Sequence, residues 1–169
     1  MKQKSIESIL AGLNHAGVRY LIAGGLAVVA HGVVRFTADM DLILDMDAEN
    51  VKQAVNVFDA MGYKPRAPVP LSQFADDKTR RSWIEDKGLT VFSLWSPSDP
   101  MTEIDLFVSC PLDNFHKSYI EALVLEPSPG IKAFFLGIDD LLLLKAKAAR
   151  PQDIADIDKL NKLRDSNDG

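Results

Sequence analysis

Short apolar runs alternate with amphipathic stretches along the chain, a pattern typical of a mixed α/β fold. Apolar residues recur at helical spacing from Ile6 to Leu13, which predicts an N-terminal helix over about 3–16. Strand-like runs follow at 19–23 and 39–44, with a short helix predicted between them over 26–31. Asp47 is then expected to be the N-cap of a helix that ends near Met61.

The second half of the chain continues this alternation. Two β-like runs, 89–95 and 103–108, are joined by a polar segment with two prolines, which predicts an antiparallel hairpin. Another turn, at 126–130, separates two further apolar runs, and helices are predicted over about 138–149 and from Pro151 to 164, followed by a frayed tail. The buried face of the last helix is expected to carry Ile154, Ile157, Leu160 and Leu163.

These elements predict an α/β (α+β) fold in which a mixed sheet of about five strands is flanked by helices, all in a single domain spanning residues 1–169. The composition, with 47% hydrophobic and 25% charged residues, is ordinary for a globular protein. The absence of a long apolar run argues against a membrane span, and the single cysteine, Cys110, fits a cytoplasmic location. The net charge of −5 weighs against strong nonspecific binding to nucleic acid but leaves a local basic patch open.

Carboxylates on two predicted strands are the strongest chemical signal. Asp39 and Asp41 are two positions apart, so a strand presents both on one face. Asp105, on a later predicted strand, would join them if the two strands are neighbours, whereas Glu103 is the less suitable ligand. Such a triad suits Mg²⁺, or Mn²⁺, because hard oxygen ligands bind these cations and the cation offsets the repulsion between the carboxylates. The alternative for an Asp-x-Asp pattern alone is a solvated strand edge or a turn.

Gly24 and Gly25 precede the carboxylates and strengthen the metal interpretation, because glycine lets the backbone approach a phosphate closely. The segment from Ala23-Gly24-Gly25 to Asp39-Met40-Asp41-Leu42 resembles the first motif of the polymerase-β-like nucleotidyltransferase superfamily. Two further segments, 35–39 and 141–157, are similar to a branch of minimal nucleotidyltransferases that includes abortive-infection-type toxin enzymes. Gly25 stands where many relatives carry serine.

The resemblance implies Mg²⁺-dependent transfer of a nucleoside monophosphate from a nucleoside triphosphate, such as ATP, to a hydroxyl of an unknown acceptor. The acceptor could be an RNA end, a protein or a small molecule. Asp39, Asp41 and Asp105 would be the catalytic metal ligands, and the nucleotide would be bound by a second set of residues: Gly24, Gly25, Arg35, Thr37 and Lys145. The alternative is a non-catalytic module of a toxin–antitoxin or defence system that binds a nucleotide or an antitoxin-like partner, and a weaker alternative is a ligand-sensing domain.

Two basic residues leave two interpretations each. Lys145 either reaches a nucleotide phosphate or extends its aliphatic stem along the edge of the core with its ammonium in water. Arg35 either pairs with a triphosphate or forms a buried ion pair with one of the two strand aspartates. Asp153 and Asp156 are expected to orient Lys145 or Arg150 through salt bridges.

Overall fold

The computed structural model describes residues 2–167, and its centre is a mixed seven-stranded sheet. The strands are β1 (Tyr20–Ile22), β2 (Asp39–Leu44), β3 (Lys64–Pro65), β4 (Val91–Ser96), β5 (Asp99–Phe107), β6 (Leu123–Ser128) and β7 (Ile131–Phe135). Their order across the sheet is β3-β4-β5-β2-β1-β7-β6. The β2–β5 and β1–β7 pairs are parallel and the others antiparallel.

Within residues 2–167, seven α-helices flank this sheet on both faces. They are α1 (Gln3–His15), α2 (Gly24–Ala30), α3 (Ala48–Ala60), α4 (Asp77–Lys87), α5 (Phe115–Ile120), α6 (Ile138–Ala148) and α7 (Pro151–Asn167), and a 3-10 helix covers Leu71–Ala75. One apolar core lies between the sheet and α1, α3 and α4, and the other lies between the sheet and α2, α6 and α7. Among the residues that the structure describes, no helix is long and apolar enough to cross a membrane.

The predicted fold class is confirmed, but the expected strand count was too low. The additional β3 is only two residues long and contains a proline, so its sequence carries no period-two pattern. The outer strand β6 is largely exposed and therefore also lacks a buried apolar face. The hairpin of β4 and β5 and the N-cap at Asp47, whose side chain accepts a hydrogen bond from the Asn50 backbone, are as predicted.

The predictions for two helices were partly wrong. The helix expected over 26–31 begins at Gly24, so both glycines belong to its first turn. The last helix continues to Asn167, into the segment expected to fray, and residues 168–169 lie outside the described residues. Its buried face also differs, because Ile154 is 60% exposed while Asp153 and Asp156 are buried.

The buried carboxylates of α7 are explained by the cations packed against them. The ammonium of Lys145, on α6, lies 3.1 Å from Asp153 and 2.8 Å from Asp156. Arg35 forms a second ion pair with Asp156, and Arg150 forms one with Asp153 at 2.7 Å. Burial alone would raise the pKa of each carboxyl, but the hydrogen bonds and positive charges of these partners outweigh it and lower both pKa values. The last two helices are therefore joined by buried charge as well as by apolar contacts.

Replacing Asp156 with alanine should destabilise the protein by about 3–5 kcal/mol, because Lys145 and Arg35 then lose a buried partner. The free energy of unfolding in urea measures this effect. Asp158→Ala is the matched control on the same helix, since its pair with Lys162 is exposed and is worth no more than about 0.5 kcal/mol.

The same network fixes the direction of the pH dependence in the wild type. Because the folded-state pKa values of Asp153 and Asp156 are lowered, their stabilisation is present above about pH 4 and is lost as the pH falls below it. Equal stability of the Asp156→Ala and Asp158→Ala variants at pH 7 would contradict the destabilisation expected from the loss of the buried Asp156 carboxylate.

Candidate active site

Asp39, Asp41 and Asp105 lie on one face of the sheet. Strands β2 and β5 are parallel neighbours, with Asp41 paired to Asp105 and Asp39 paired to Glu103. The intervening residues point to the opposite face and are fully buried: Met40, Leu42, Ile104 and Leu106. Asp39 is exposed, whereas Asp41 and Asp105 are half-buried. The structure therefore brings the three predicted carboxylates together.

This crowding changes the acidity of the carboxyl groups. Burial, followed by the charges of Asp105 and Asp39, raises the pKa of Asp41 to about 6, although Lys145 and Arg150 act in the opposite direction. The pKa of Asp105 is also raised, mainly by burial, even though the Ser93 hydroxyl donates a 2.5 Å hydrogen bond to its Oδ1. Holding Asp41 and Asp105 ionised beside each other at neutral pH therefore costs free energy, which a bound cation would offset.

The donor set fits a hard divalent cation. Three carboxylates on adjacent strands supply only oxygen ligands, and Mg²⁺ commonly takes one or two carboxylates and completes its shell with phosphate oxygens and water. Within residues 2–167, no three His, Cys, Asp or Glu side chains are already gathered closely enough to hold an ion by themselves.

Gly24 fits against the Asp41 carboxylate. Its φ of +59° is unfavourable for residues with a side chain, and a Cβ there would lie 1.9 Å from Asp41 Oδ2. Any side chain at this position would displace the carboxylate. The first turn of α2 and the aspartates of β2 therefore form one tightly packed unit.

Gly25 makes room for Thr37 in a similar way. A Cβ on Gly25 would lie 2.6 Å from Thr37 Oγ1 and 2.9 Å from Thr37 Cβ. The threonine hydroxyl thus occupies space that a serine at position 25 would need. It donates a long hydrogen bond of 3.4 Å to the Asp39 carbonyl, so it lies at the start of the carboxylate strand.

The three basic residues near the carboxylates are held by α7. Lys145 is 6% exposed and its ammonium is paired inside the protein, so the alternative that placed this ammonium in water is wrong. Arg35 pairs with Asp156 rather than with either strand aspartate, so the expected ion pair with Asp39 or Asp41 was also wrong. The positive charges of Lys145 and Arg150 nevertheless lower the pKa of Asp41, which places both near the carboxylate group.

Four residues on the same face were not selected from the sequence. Their contacts join strands β3, β4 and β5 beside the carboxylates, and the residues are Arg66, Ser93, Trp95 and Glu103. Arg66 pairs with Glu103 at 2.8 Å, and its guanidinium lies over the Trp95 ring at 5.3 Å from the centroid. The alternation of Ser93 and Trp95 with buried Phe92 and Leu94 in the predicted strand was the signal that could have identified two of them.

Solved structures with a similar fold include an antibiotic adenylyltransferase and an antibiotic-resistance factor. The lincosamide antibiotic adenylyltransferase LnuA, in a lincomycin-bound crystal structure, aligns over 96% of this chain and 98% of its own, with a TM-score of 0.62 and 17% identity. The solution structure of the antibiotic-resistance factor ANT(2'')-Ia covers 96% and 89%, with a TM-score of 0.58 and 13% identity. Its crystal structure with adenylyl-2''-tobramycin covers 96% and 94%, at 0.57 and 15%. At these identities the likeness establishes the fold.

No curated protein matches the sequence. The family described as "Nucleotidyltransferase of unknown function (DUF6036)" matches residues 4–167. The predicted resemblance to nucleotidyltransferases, and with it the expectation of an enzyme of this class, is therefore confirmed. The match extends over nearly the whole chain, and the protein belongs to this family of nucleotidyltransferases.

Proposed function

We propose that the protein transfers a nucleoside monophosphate from a nucleoside triphosphate to a hydroxyl group of an acceptor. The observation that supports this most directly is the position of Asp39, Asp41 and Asp105 on one sheet face, with Asp41 packed against Gly24. The pKa values of Asp41 and Asp105 are raised, and the backbone of Gly24 lies close to the Asp41 carboxylate. Carboxylates in this arrangement favour binding of a cation together with a polyphosphate. The adenylyltransferase fold of the structural neighbours favours ATP as the donor.

In the proposed reaction the acceptor oxygen attacks the α-phosphorus and forms a new P–O bond. The bond between the α-phosphorus and the oxygen bridging to the β-phosphate breaks, and pyrophosphate leaves. The proton of the attacking hydroxyl passes to the carboxylate of Asp105, which lies on the same sheet face as Asp39 and Asp41. Ser93 donates to that carboxylate and holds its orientation.

The metal ion would be held by Asp39, Asp41 and Asp105. Mg²⁺ or Mn²⁺ in this position supplies Lewis-acid polarisation of the phosphoryl oxygens. The protein's own contribution is to hold the two strands in register, so that the three carboxylates stay on one face of the sheet. Gly24 and Gly25 add a backbone surface without side chains against which the triphosphate can lie.

The basic residues would balance the charge of the triphosphate. Lys145 and Arg150 act on Asp41 through space, and Arg35 and Thr37 flank Gly25. Because Lys145 and Arg35 are anchored by Asp153 and Asp156, their charges are fixed before substrate arrives. Such preorganised charge stabilises a phosphoryl-transfer transition state without reorganisation during the reaction.

Mg²⁺ and ATP together should raise the melting temperature, because a ligand that binds only the folded state stabilises it by about 2.7 kcal/mol at one hundred times its Kd. Asp41→Asn should abolish most of that increase, since it removes the carboxylate at the centre of the site. Differential scanning fluorimetry measures both, with Asp86→Asn on the exposed surface of α4 as the control. An increase of the same size in Asp41→Asn would mean that the nucleotide binds elsewhere.

Asp39→Asn and Asp105→Asn should each remain folded and reduce nucleotide transfer by about a hundredfold or more, because each removes a group that touches the metal or the reacting atoms. The assay is transfer of label from α-³²P ATP, with Mg²⁺, to cellular RNA, protein or small molecules. Absence of transfer by the wild type to every acceptor class, with partner binding unchanged in both variants, would favour the non-catalytic module instead.

Asp41→Asn should also stabilise the metal-free protein at pH 8, by about 1–3 kcal/mol. The sign follows from the raised pKa: the folded state binds the Asp41 proton more tightly than the unfolded state, so wild-type stability falls as pH rises from about 4 to 6. Asparagine does not titrate, so the advantage should disappear below about pH 4. Urea unfolding in EDTA at several pH values tests this, and a pH-independent difference would contradict it.

A further inference from the structure

We propose that the acceptor is a nucleotide whose base stacks on the Trp95–Arg66 pair and whose phosphate is bound by Lys64, which places its ribose hydroxyl at the carboxylates. This inference rests on the proposed function and names the acceptor class for the same site. Lys64 lies on the edge strand β3, Arg66 directly follows that strand, and Trp95 lies on β4, which adjoins β5. Nothing in the proposed chemistry so far assigns them a role.

The strand register places two rows of side chains across this face. Lys64 pairs with Trp95, and Glu103 pairs with Asp39. The register between β4 and β5 shifts after Leu94, and Arg66, which contacts both Trp95 and Glu103, links the two halves of this row. In the second row, the Arg66 backbone N–H donates a hydrogen bond to the Ser93 carbonyl. Ser93 pairs with Asp105 on β5, and Asp105 pairs with Asp41 on β2. Residues paired in this way point to the same side of a sheet. The face therefore changes from cationic at the β3 edge to anionic at β2.

This face of β4 and β5 is open. The side chains on the opposite side of these strands are buried, among them Phe92, Leu94 and Ile104. On the open side, Trp95 and Glu103 are only half-buried, and the Arg66 side chain is 52% exposed. A ligand can therefore reach the Trp95 indole and the Arg66 guanidinium directly from solvent.

The Trp95–Arg66 pair has the chemistry of a base-binding platform. The guanidinium lies over the indole, and Glu103 accepts hydrogen bonds from both Nε and Nη2 of Arg66, which fixes its plane. Nucleobases stack on aromatic rings and on arginine planes alike. Strands are about 4.8 Å apart, so Trp95 lies about 10 Å from the β2 carboxylates, within the reach of one nucleotide.

Charge decides between a nucleotide and a cationic acceptor. Lys64 is exposed, and among the described residues it forms no salt bridge. Its positive charge would repel the ammonium groups of a polyamine-like acceptor and attract a phosphate. The aminoglycoside product bound to one structural neighbour is therefore a poor match for this edge. A nucleotide acceptor fits the order of these residues across the sheet, with its phosphate at Lys64, its base at Trp95 and its hydroxyl group at Asp39.

Binding of AMP, adenosine, a short single-stranded RNA with a free 3′ hydroxyl, and tobramycin should be measured by isothermal titration calorimetry. Trp95→Leu should weaken AMP and adenosine by about tenfold, and Trp95→Phe should retain most of the affinity because a ring remains. Lys64→Gln should weaken AMP severalfold and leave adenosine unchanged. Lys52→Gln, which removes an exposed lysine on α3, is the matched control and should change neither.

The melting-temperature increase with Mg²⁺ and ATP, measured in the same variants, separates this inference from the proposed function. It should survive in Trp95→Leu; its loss there would assign Trp95 to the donor base and overturn the acceptor assignment. Unchanged AMP and RNA binding in Trp95→Leu and Lys64→Gln, or binding of tobramycin to the wild type as tight as that of AMP, would also overturn it. No increase in the wild type would instead count against the proposed function alone.

The RNA and AMP measurements distinguish the two sources of the nucleotide. RNA that binds more tightly than AMP, with both weakened by Trp95→Leu, supports the end of a strand as the acceptor. Equal binding of AMP and RNA, weakened in the same variant, supports a free nucleotide. Urea unfolding of each variant without ligand verifies that the loss of binding is not a loss of fold.

Discussion

Parallel pairing of β2 with β5 is the constraint on which the candidate site depends. Because side chains alternate along a strand, a slip of one residue in this pair would turn Asp41 toward the apolar core and Leu42 toward solvent. Burial of Met40, Leu42, Ile104 and Leu106 on the other side opposes such a slip. The free energy of core formation thus holds like charges together against their mutual repulsion. Burial and this repulsion both raise the pKa of Asp41.

The helical side of the site uses charge in the opposite sense. Arg35, Lys145 and Arg150 are held by two carboxylates, so this buried group carries one more positive than negative charge. An excess of positive charge beside the β2 carboxylates partly relieves their repulsion. The last two helices therefore place positive charge near the sheet face. Apolar packing contributes less on α7, where only Leu160 among the apolar residues of the helix is fully buried.

Local patterns in the sequence predicted most of this architecture but not its long-range pairings. The Asp-x-Asp strand, the β4–β5 hairpin and the helix capped by Asp47 have signals within a few residues, and each is found in the structure. Helix α4 was missed because most of its residues are charged and only Arg80 and Trp83 are buried. Arg35 and Asp156 meet across 121 positions, and no local periodicity indicates such a partner. Polar residues on the buried face of α7 likewise invert the apolar period that sequence reasoning relies on.

The contact between Gly25 and Thr37 has an evolutionary consequence. Since a side chain at position 25 and the threonine at position 37 need the same space, a serine cannot enter at one position while the threonine stays at the other without displacing it. Either position 25 or position 37 can thus supply a hydroxyl group beside the first turn of α2. A change from one arrangement to the other requires substitutions at both positions. Relatives with serine at the second glycine should carry a smaller residue at the position of Thr37, so the two columns of a family alignment should covary.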